Sequence, residues 1–172
     1  MNFQFYVEKL KNSENYKNFI KENKDAFPCS GFFIIDKQGN SNKQHFDYYL
    51  PSGKKMISFQ LEDNSHIVPV EMINKIEPEK MSLNCEFDFN DIEKLIQNEM
   101  DKRGIKNKIQ KLLFSFQTKN KKNYLVGTVF ISGLGLLKIN VDISKMEIID
   151  FEKKSFFDMI KITRKKEDKN GR

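Results

Sequence analysis

The sequence has little of several residue types that mark particular protein classes. Its 172 residues include two cysteines, four prolines and no tryptophan. No apolar run approaches the roughly 18 residues that a membrane-spanning helix needs. The amino terminus has neither the basic stretch nor the apolar core of a signal peptide. We therefore expect a cytoplasmic protein with reduced cysteines rather than a disulfide-stabilised secreted one.

The signatures of common enzyme classes are also missing. There is no phosphate-binding glycine loop, zinc-protease helix motif, close cysteine pair or nucleophile elbow. The one glycine-rich stretch, Ser132-Gly133-Leu134-Gly135, lies between two predicted strands, which is typical of a hairpin turn. We expect no cofactor and no bound metal, because the soft metal ligands are not closely paired. These ligands are Cys29, His45, His66 and Cys85.

Two groupings of reactive side chains keep catalysis open as an alternative. Cys29, activated by His45 or His66 and oriented by Asp47, would form a nucleophilic site if the fold brought them together. A lone cysteine after a proline is more typical of a small core residue. Three carboxylates share one predicted helix with lysines, which favours a solvated, charge-paired face over acid–base catalysis. They are Glu93, Glu99 and Asp101.

The positive charge of the chain is almost entirely lysine. The formal net charge is +6, yet only three residues are arginine. Arginine provides bidentate recognition of phosphate and guanine, whereas net charge alone indicates non-specific attraction. A nucleic-acid accessory protein is therefore an alternative function. Its first contacts would be Arg164, Lys165 and Lys166 of the charged tail.

The two halves of the chain repeat the same order of elements. Placing Ser52-Gly53 over Ser132-Gly133 aligns an apolar trio at every second residue in each half. This alternation predicts strands with one buried face. The trios are Ile57, Phe59 and Leu61, and Leu137, Ile139 and Val141. We therefore predict an α+β fold of two tandem units, each a helix followed by a four-stranded antiparallel meander, related by a pseudo-twofold axis.

The predicted boundaries follow from helix caps, turns and composition. The first unit spans residues 1–76, the linker spans 77–86, the second unit spans 87–160, and a charged, disordered tail spans 161–172.

Asp88 and Gly104 mark the start and end of the second unit's helix, and Pro69 places the fourth strand at a sheet edge. The first unit has one kinked helix or two short ones, with Tyr16, Phe19 and Ile20 matched to Ile92, Leu95 and Ile96. Strands are predicted at 31–36, 43–50, 55–62, 66–73, 109–117, 124–131, 136–143 and 146–151, in one sheet or two.

Residues 122–153 follow a pattern of strand, turn, strand, turn and strand. The turns are Ser132-Gly133-Leu134-Gly135 and Ser144-Lys145, and Asp142 stands before the second. This pattern resembles the end of a PepSY-like or cystatin-like unit, in which a helix packs across an antiparallel meander. The resemblance implies that shape for the chain. PepSY-like modules are mostly exported or membrane-tethered, non-catalytic and associated with peptidase regulation, and no functional residue is transferred from them.

The second predicted strand carries large apolar side chains on both faces. Such a strand is either sandwiched between layers or exposes an adhesive surface, and tyrosine is common at interfaces. Phe46, Tyr48 and Tyr49 are therefore the candidate partner-binding residues. The sequence favours a non-catalytic, cytoplasmic binding or regulatory module that engages a protein or peptide through a sheet face or the cleft between units. Besides nucleic-acid binding, the alternative is a small-ligand enzyme whose cystatin-like pocket holds His45 or His66.

Overall fold

Alternating apolar residues build a layer of eight antiparallel strands in the computed structural model, which describes residues 2–39, 41–62, 65–72 and 76–155. The helices in these ranges are α1 (Phe3–Asn12), α2 (Glu14–Glu22) and α3 (Phe89–Lys102). The strands of the first half are β1 (Phe27–Asp36), β2 (Lys43–Leu50), β3 (Lys55–Gln60) and β4 (His66–Val70). Those of the second half are β5 (Ile109–Lys119), β6 (Lys122–Ile131), β7 (Gly135–Asp142) and β8 (Glu147–Ser155).

All eight strands belong to one sheet, in the order β4-β3-β2-β1-β5-β6-β7-β8. The two halves join where β1 pairs with β5, from Ser30 opposite Gln117 to Asp36 opposite Lys111. The predicted α+β class is confirmed, and the open question of one sheet or two is answered in favour of one. Pro69 lies on β4 at the edge of the sheet, as predicted, because proline has no N–H for a second neighbouring strand.

The helices start and stop where the sequence supplies caps. Asn2 Oδ1 accepts the Gln4 N–H at 2.7 Å at the start of α1. Ser13 then adopts an extended conformation, which ends α1, and its Oγ accepts the Tyr16 N–H in the first turn of α2. The first half therefore has two short helices. In α3, Asp88 caps the start, and Gly104 follows the last turn at a φ of 68°, as predicted.

The space between the helices and the sheet is filled by aromatic rings. The Phe3 ring of α1 lies 4.9 Å from the Phe87 ring and 5.0 Å from the Phe116 ring, centroid to centroid. It also contacts the rings of Phe33 and Phe46. Phe59 and Ile139, one from each half, are buried as the alternation predicts. We call the sheet face that contacts the helices the inner face.

The linker predicted at residues 77–86 is tied to both halves. The Met81 N–H donates to the Pro28 carbonyl at 2.7 Å, and the Met81 side chain is buried. The Glu79 carboxylate accepts the backbone N–H groups of Asn120 and Lys121 in the β5–β6 turn. The Gln4 side-chain amide donates to two linker carbonyls. These bonds join the linker to α1, β1 and the second half.

Candidate binding surface

The face of the sheet opposite the helices carries a group of partly exposed apolar side chains. Successive residues of a strand point to opposite faces, so the neighbours of the buried residues on β1, β5 and β6 form this outer face. Four of them, Phe32, Ile34, Leu113 and Phe130, are only partly buried. We call these four residues the central stripe. Ile34 lies directly opposite Leu113 in the β1–β5 pairing, so the stripe crosses the junction of the two halves.

Lysines border the central stripe on both sides. Lys43 on β2 is opposite Ile34, and Lys138 on β7 is separated from Leu113 only by Thr128. Both lysines are exposed, and in the described part of the chain neither forms an ion pair. They therefore place two positive charges without an ion-pair partner beside an apolar surface, although Glu152 lies opposite Lys138 in the β7–β8 pairing.

The other two neighbouring lysines are paired with carboxylates. Lys111 Nζ lies 3.5 Å from Asp36 Oδ2, and Lys154 Nζ lies 3.2 Å from Glu152 Oε2. The Gln38 N–H donates to Asp36 Oδ1 and, with the Gly39 N–H and Lys111, lowers the pKa of this carboxyl against the opposing effect of desolvation. Asp36 is thus ionised near neutral pH and balances Lys111.

Two adjoining depressions open on this side of the sheet. One has a volume of about 640 Å³ and is lined by Ile34, Leu113 and Phe130, with Lys111 and Asp36 at its polar side. The other has a volume of about 170 Å³ and is lined chiefly by apolar residues of β6, β7 and the turn between them. Phe130 and Gln110 line both. The surface around the stripe therefore has two recesses that are large enough to hold side chains.

The partner-binding residues predicted from the sequence are not exposed. Phe46, Tyr48 and Tyr49 retain 0%, 1% and 4% of their accessible surface. Phe46 packs against Phe3, and the Tyr48 hydroxyl donates to the Tyr16 hydroxyl at 3.2 Å, so both lie under the helices. Tyr49 is on the outer face, where its ring packs beside that of Phe27 at 5.5 Å between centroids. The prediction that these three residues form an exposed surface is therefore wrong, and a partly exposed apolar surface lies on the central stripe instead.

The side chains proposed for a nucleophilic site are not brought together. Cys29 Sγ donates to the Asp47 backbone carbonyl at 3.4 Å, while the Asp47 carboxylate accepts the Ser30 hydroxyl at 2.6 Å. His45 lies on the outer face, 3.3 Å from a Glu62 oxygen without hydrogen-bond geometry, and His66 is exposed on the edge strand. Among the described residues, the Cys29 thiol has the Asp47 carbonyl and the Met56 sulfur as its hydrogen-bond partners, and neither is a histidine.

Burial, followed by the Asp47 charge, raises the pKa of Cys29 to about 12. We expect this thiol to resist alkylation in the native protein. At pH 8 only about one thiol in 10,000 would be thiolate, so iodoacetamide should react roughly a thousandfold more slowly than with an ordinary cysteine. Mass spectrometry of tryptic peptides, with and without urea, measures this directly. Fast native labelling of Cys29 would contradict the burial and favour a reactive role.

The remaining candidate sites also lack a catalytic arrangement. Each helix carboxylate has its own partner: Glu93 with Lys37, Glu99 with Arg103, and Asp101 with Gln97. Within the described ranges, no three histidine, cysteine or acidic residues form a potential metal site. No helix there is long and apolar enough to cross a membrane. Arg164, Lys165 and Lys166, with the whole tail 161–172, lie outside the described residues.

No protein family matches the chain, and no curated protein matches it significantly. Among solved structures, it is similar to one described as a "putative lipoprotein" from Clostridium difficile 630. The two share 11% sequence identity at a TM-score of 0.51, over 82% of this chain and 91% of the other. This likeness concerns the fold alone and agrees with a mixed α+β chain built on one antiparallel sheet.

The sequence did contain a signal for the central stripe. Residues 32–35 of β1 and 112–114 of β5 are apolar without interruption. Strands of this kind are buried on both faces when a second layer covers them. In the described structure the helices cover only the inner face. The uninterrupted runs thus belong to strands whose outer face has no covering layer in the described part of the chain.

Proposed function

We propose that this protein is a non-catalytic binding module that engages a protein or peptide partner through the central stripe. The observation that carries the proposal is a contiguous, partly exposed apolar surface on the face opposite the helices. Contiguous apolar patches with polar rims are typical of interaction sites, and aromatic residues are enriched at the centres of interfaces. Phe130, which lines both depressions, is the expected anchor.

The scaffold beneath the stripe supports a binding role. Its four residues lie on β1, β5 and β6, each of which has hydrogen-bonded neighbours on both sides. Below them, aromatic and aliphatic side chains of the described residues pack into one core cluster. A surface held this rigidly loses little conformational entropy when a partner binds.

We also propose that the chain comprises two tandem helix-plus-meander units of PepSY-like or cystatin-like shape. The strand order supports this, because each half contributes four consecutive neighbours that run outward from the β1–β5 junction. The helix starts support it as well. Phe3, Tyr6 and Leu10 occupy the same places after the Asn2 cap as Phe89, Ile92 and Ile96 after Asp88, and all six are buried. On this alignment α1, rather than α2, is the counterpart of α3.

A cytoplasmic location is part of the proposal. It is supported by the two cysteines, both of which are free thiols. Free thiols are typical of reducing compartments. Cell fractionation followed by immunoblotting would test the location independently of binding.

The binding role is tested with Phe130→Lys and a matched control, Ile67→Lys. Ile67 is 42% exposed on the edge strand β4, away from the stripe, so its replacement makes the same change of charge elsewhere. We expect partners captured from a cell extract by the wild-type protein to be retained by Ile67→Lys. Phe130→Lys should weaken binding of the purified partner at least about tenfold, as loss of an interface anchor does. Equal binding by both variants, with equal folding by circular dichroism, would contradict the proposal.

A further inference from the structure

The two unpaired lysines beside the central stripe indicate what kind of segment it receives. We propose that the occupant is an amphipathic helix of a partner protein, with carboxylates along both flanks of its apolar face. This inference rests on the proposed function and specifies its partner. The inference is argued from the four stripe residues, the positions of Lys43 and Lys138, and the pairing of the central strands on both sides.

The backbone of the central strands has no free groups for the occupant. β1, β5 and β6 each pair on both sides, so their N–H and C=O groups are used within the sheet. A segment lying on the face therefore receives no backbone hydrogen bonds from this protein. An extended peptide would leave its own backbone groups unpaired at an apolar surface, whereas a helix satisfies its own. The face thus favours a helix, and strand addition is restricted to the edges β4 and β8.

The spacing of the two lysines fits a helix. Lys43 and Lys138 stand on β2 and β7, with β1, β5 and β6 between them. Four strand spacings separate the two backbones by about 19 Å. A helix with its side chains is roughly 10–12 Å wide, so one placed over the stripe leaves each lysine side chain able to reach its nearer flank. A single extended strand is too narrow to contact both lysines at once.

The length of the stripe sets the size of the contact. On the outer face, each side chain lies in a row with its cross-strand partners. Phe32, Ile34 and Phe130 lie in three successive rows of this kind. Four residues of strand span about 13 Å. At 1.5 Å per residue, this corresponds to roughly nine residues of helix. Apolar residues at i, i+3, i+4 and i+7 of the partner would cover it.

The charge around the stripe determines the sign of the partner's flanks. Asp36 forms an ion pair with Lys111, and Glu152 forms one with Lys154. Glu152 also lies opposite Lys138 in the β7–β8 pairing, and the Glu62 carboxylate binds the N–H of the residue after Lys43. The four lysines outnumber these three carboxylates, so the border of the stripe keeps a net positive charge. Carboxylates on both flanks of the helix would complement this pattern, and lysines there would be repelled. The chain's net charge of +6 adds a long-range attraction of the same sign.

The test uses three synthetic 14-residue helical peptides with one apolar face and either Glu, Gln or Lys at the flanking positions. Affinity for the full chain is measured by fluorescence anisotropy, and the site is mapped by NMR chemical-shift changes. We expect the Glu peptide to bind at least about tenfold more tightly than the Gln peptide, with the difference reduced by added salt. The Lys peptide should bind most weakly.

Substitutions in the full chain locate the effect. Lys43→Gln and Lys138→Gln should each weaken the Glu peptide severalfold and leave the Gln peptide unchanged. Lys145→Gln, in the exposed β7–β8 turn, is the matched control and should change neither. Equal affinities of the three peptides at the stripe would overturn the inference while the proposed function stands. The inference would also be overturned if none of the three peptides bound, or if the protein formed a concentration-dependent dimer that Phe130→Lys abolished. The capture experiment tests the proposed function separately.

Discussion

Replacing Phe3 with alanine should lower the free energy of unfolding by about 3–5 kcal/mol, the range for deleting a fully buried phenylalanine ring. The Phe3 ring is completely buried and contacts the rings of four other phenylalanines. Two of these, Phe33 and Phe46, belong to the first half, and Phe87 and Phe116 lie beyond the linker. The cavity left by the deletion would therefore loosen both halves, because no single neighbour can move in to fill it.

The neighbouring residue Phe5 provides the matched control. Its ring is 59% exposed on the same helix, so Phe5→Ala deletes the same atoms without opening a cavity. We expect Phe5→Ala to change the free energy of unfolding by no more than about 0.5 kcal/mol. Urea titrations followed by circular dichroism measure both variants. Similar losses for the two would mean that Phe3 does not occupy the centre of the core.

Element positions could be predicted from the sequence because helices and strands have different local periods. Asp88 caps the start of α3, Gly104 follows its end at a positive φ, and Pro69 lies on an edge strand, as the chemistry of each residue predicts. Strand pairing across the halves could not be predicted in this way. The register of β1 with β5 depends on contacts between residues about 80 positions apart, such as Phe33 opposite Phe114, and neither strand's local pattern identifies the other as its partner.

The candidate surface was harder to predict than the strands. The sequence shows that β2 is apolar on both faces, but it does not show which strands the helices and neighbouring rings cover. Phe46 and Tyr48 are covered by helices, and Tyr49 packs beside Phe27 with the ring centroids 5.5 Å apart. The runs on β1 and β5 carry the same apolar signal, yet their outer side chains stay partly exposed. Burial of an apolar strand depends on the layer above it, which is a long-range property.

Gly127 occupies a position where the core leaves no room for a side chain. It lies on the inner face of β6, directly between Phe114 on β5 and Ile139 on β7. A Cβ atom here would lie 2.8 Å from atoms of both side chains, which are themselves fully buried. Gly127→Val should therefore destabilise the protein by about 3 kcal/mol or more, at the upper end of overpacking costs. Gly53→Ala, in the exposed β2–β3 turn with 3.5 Å to its nearest neighbour, should be nearly neutral.

A double-mutant cycle separates this steric cost from a general intolerance of substitution in β6. Ile139→Ala removes the Cγ1 atom that would lie 2.8 Å from the new Cβ, and alone it should cost about 2–5 kcal/mol. Combined with Gly127→Ala, it should cost less than the sum of the two single variants, because the shortened side chain makes room for the alanine. The measurement is the free energy of unfolding of the four proteins in urea. Strict additivity would mean that Ile139 does not restrict the space above Gly127, and that the β6–β7 register places a different side chain there.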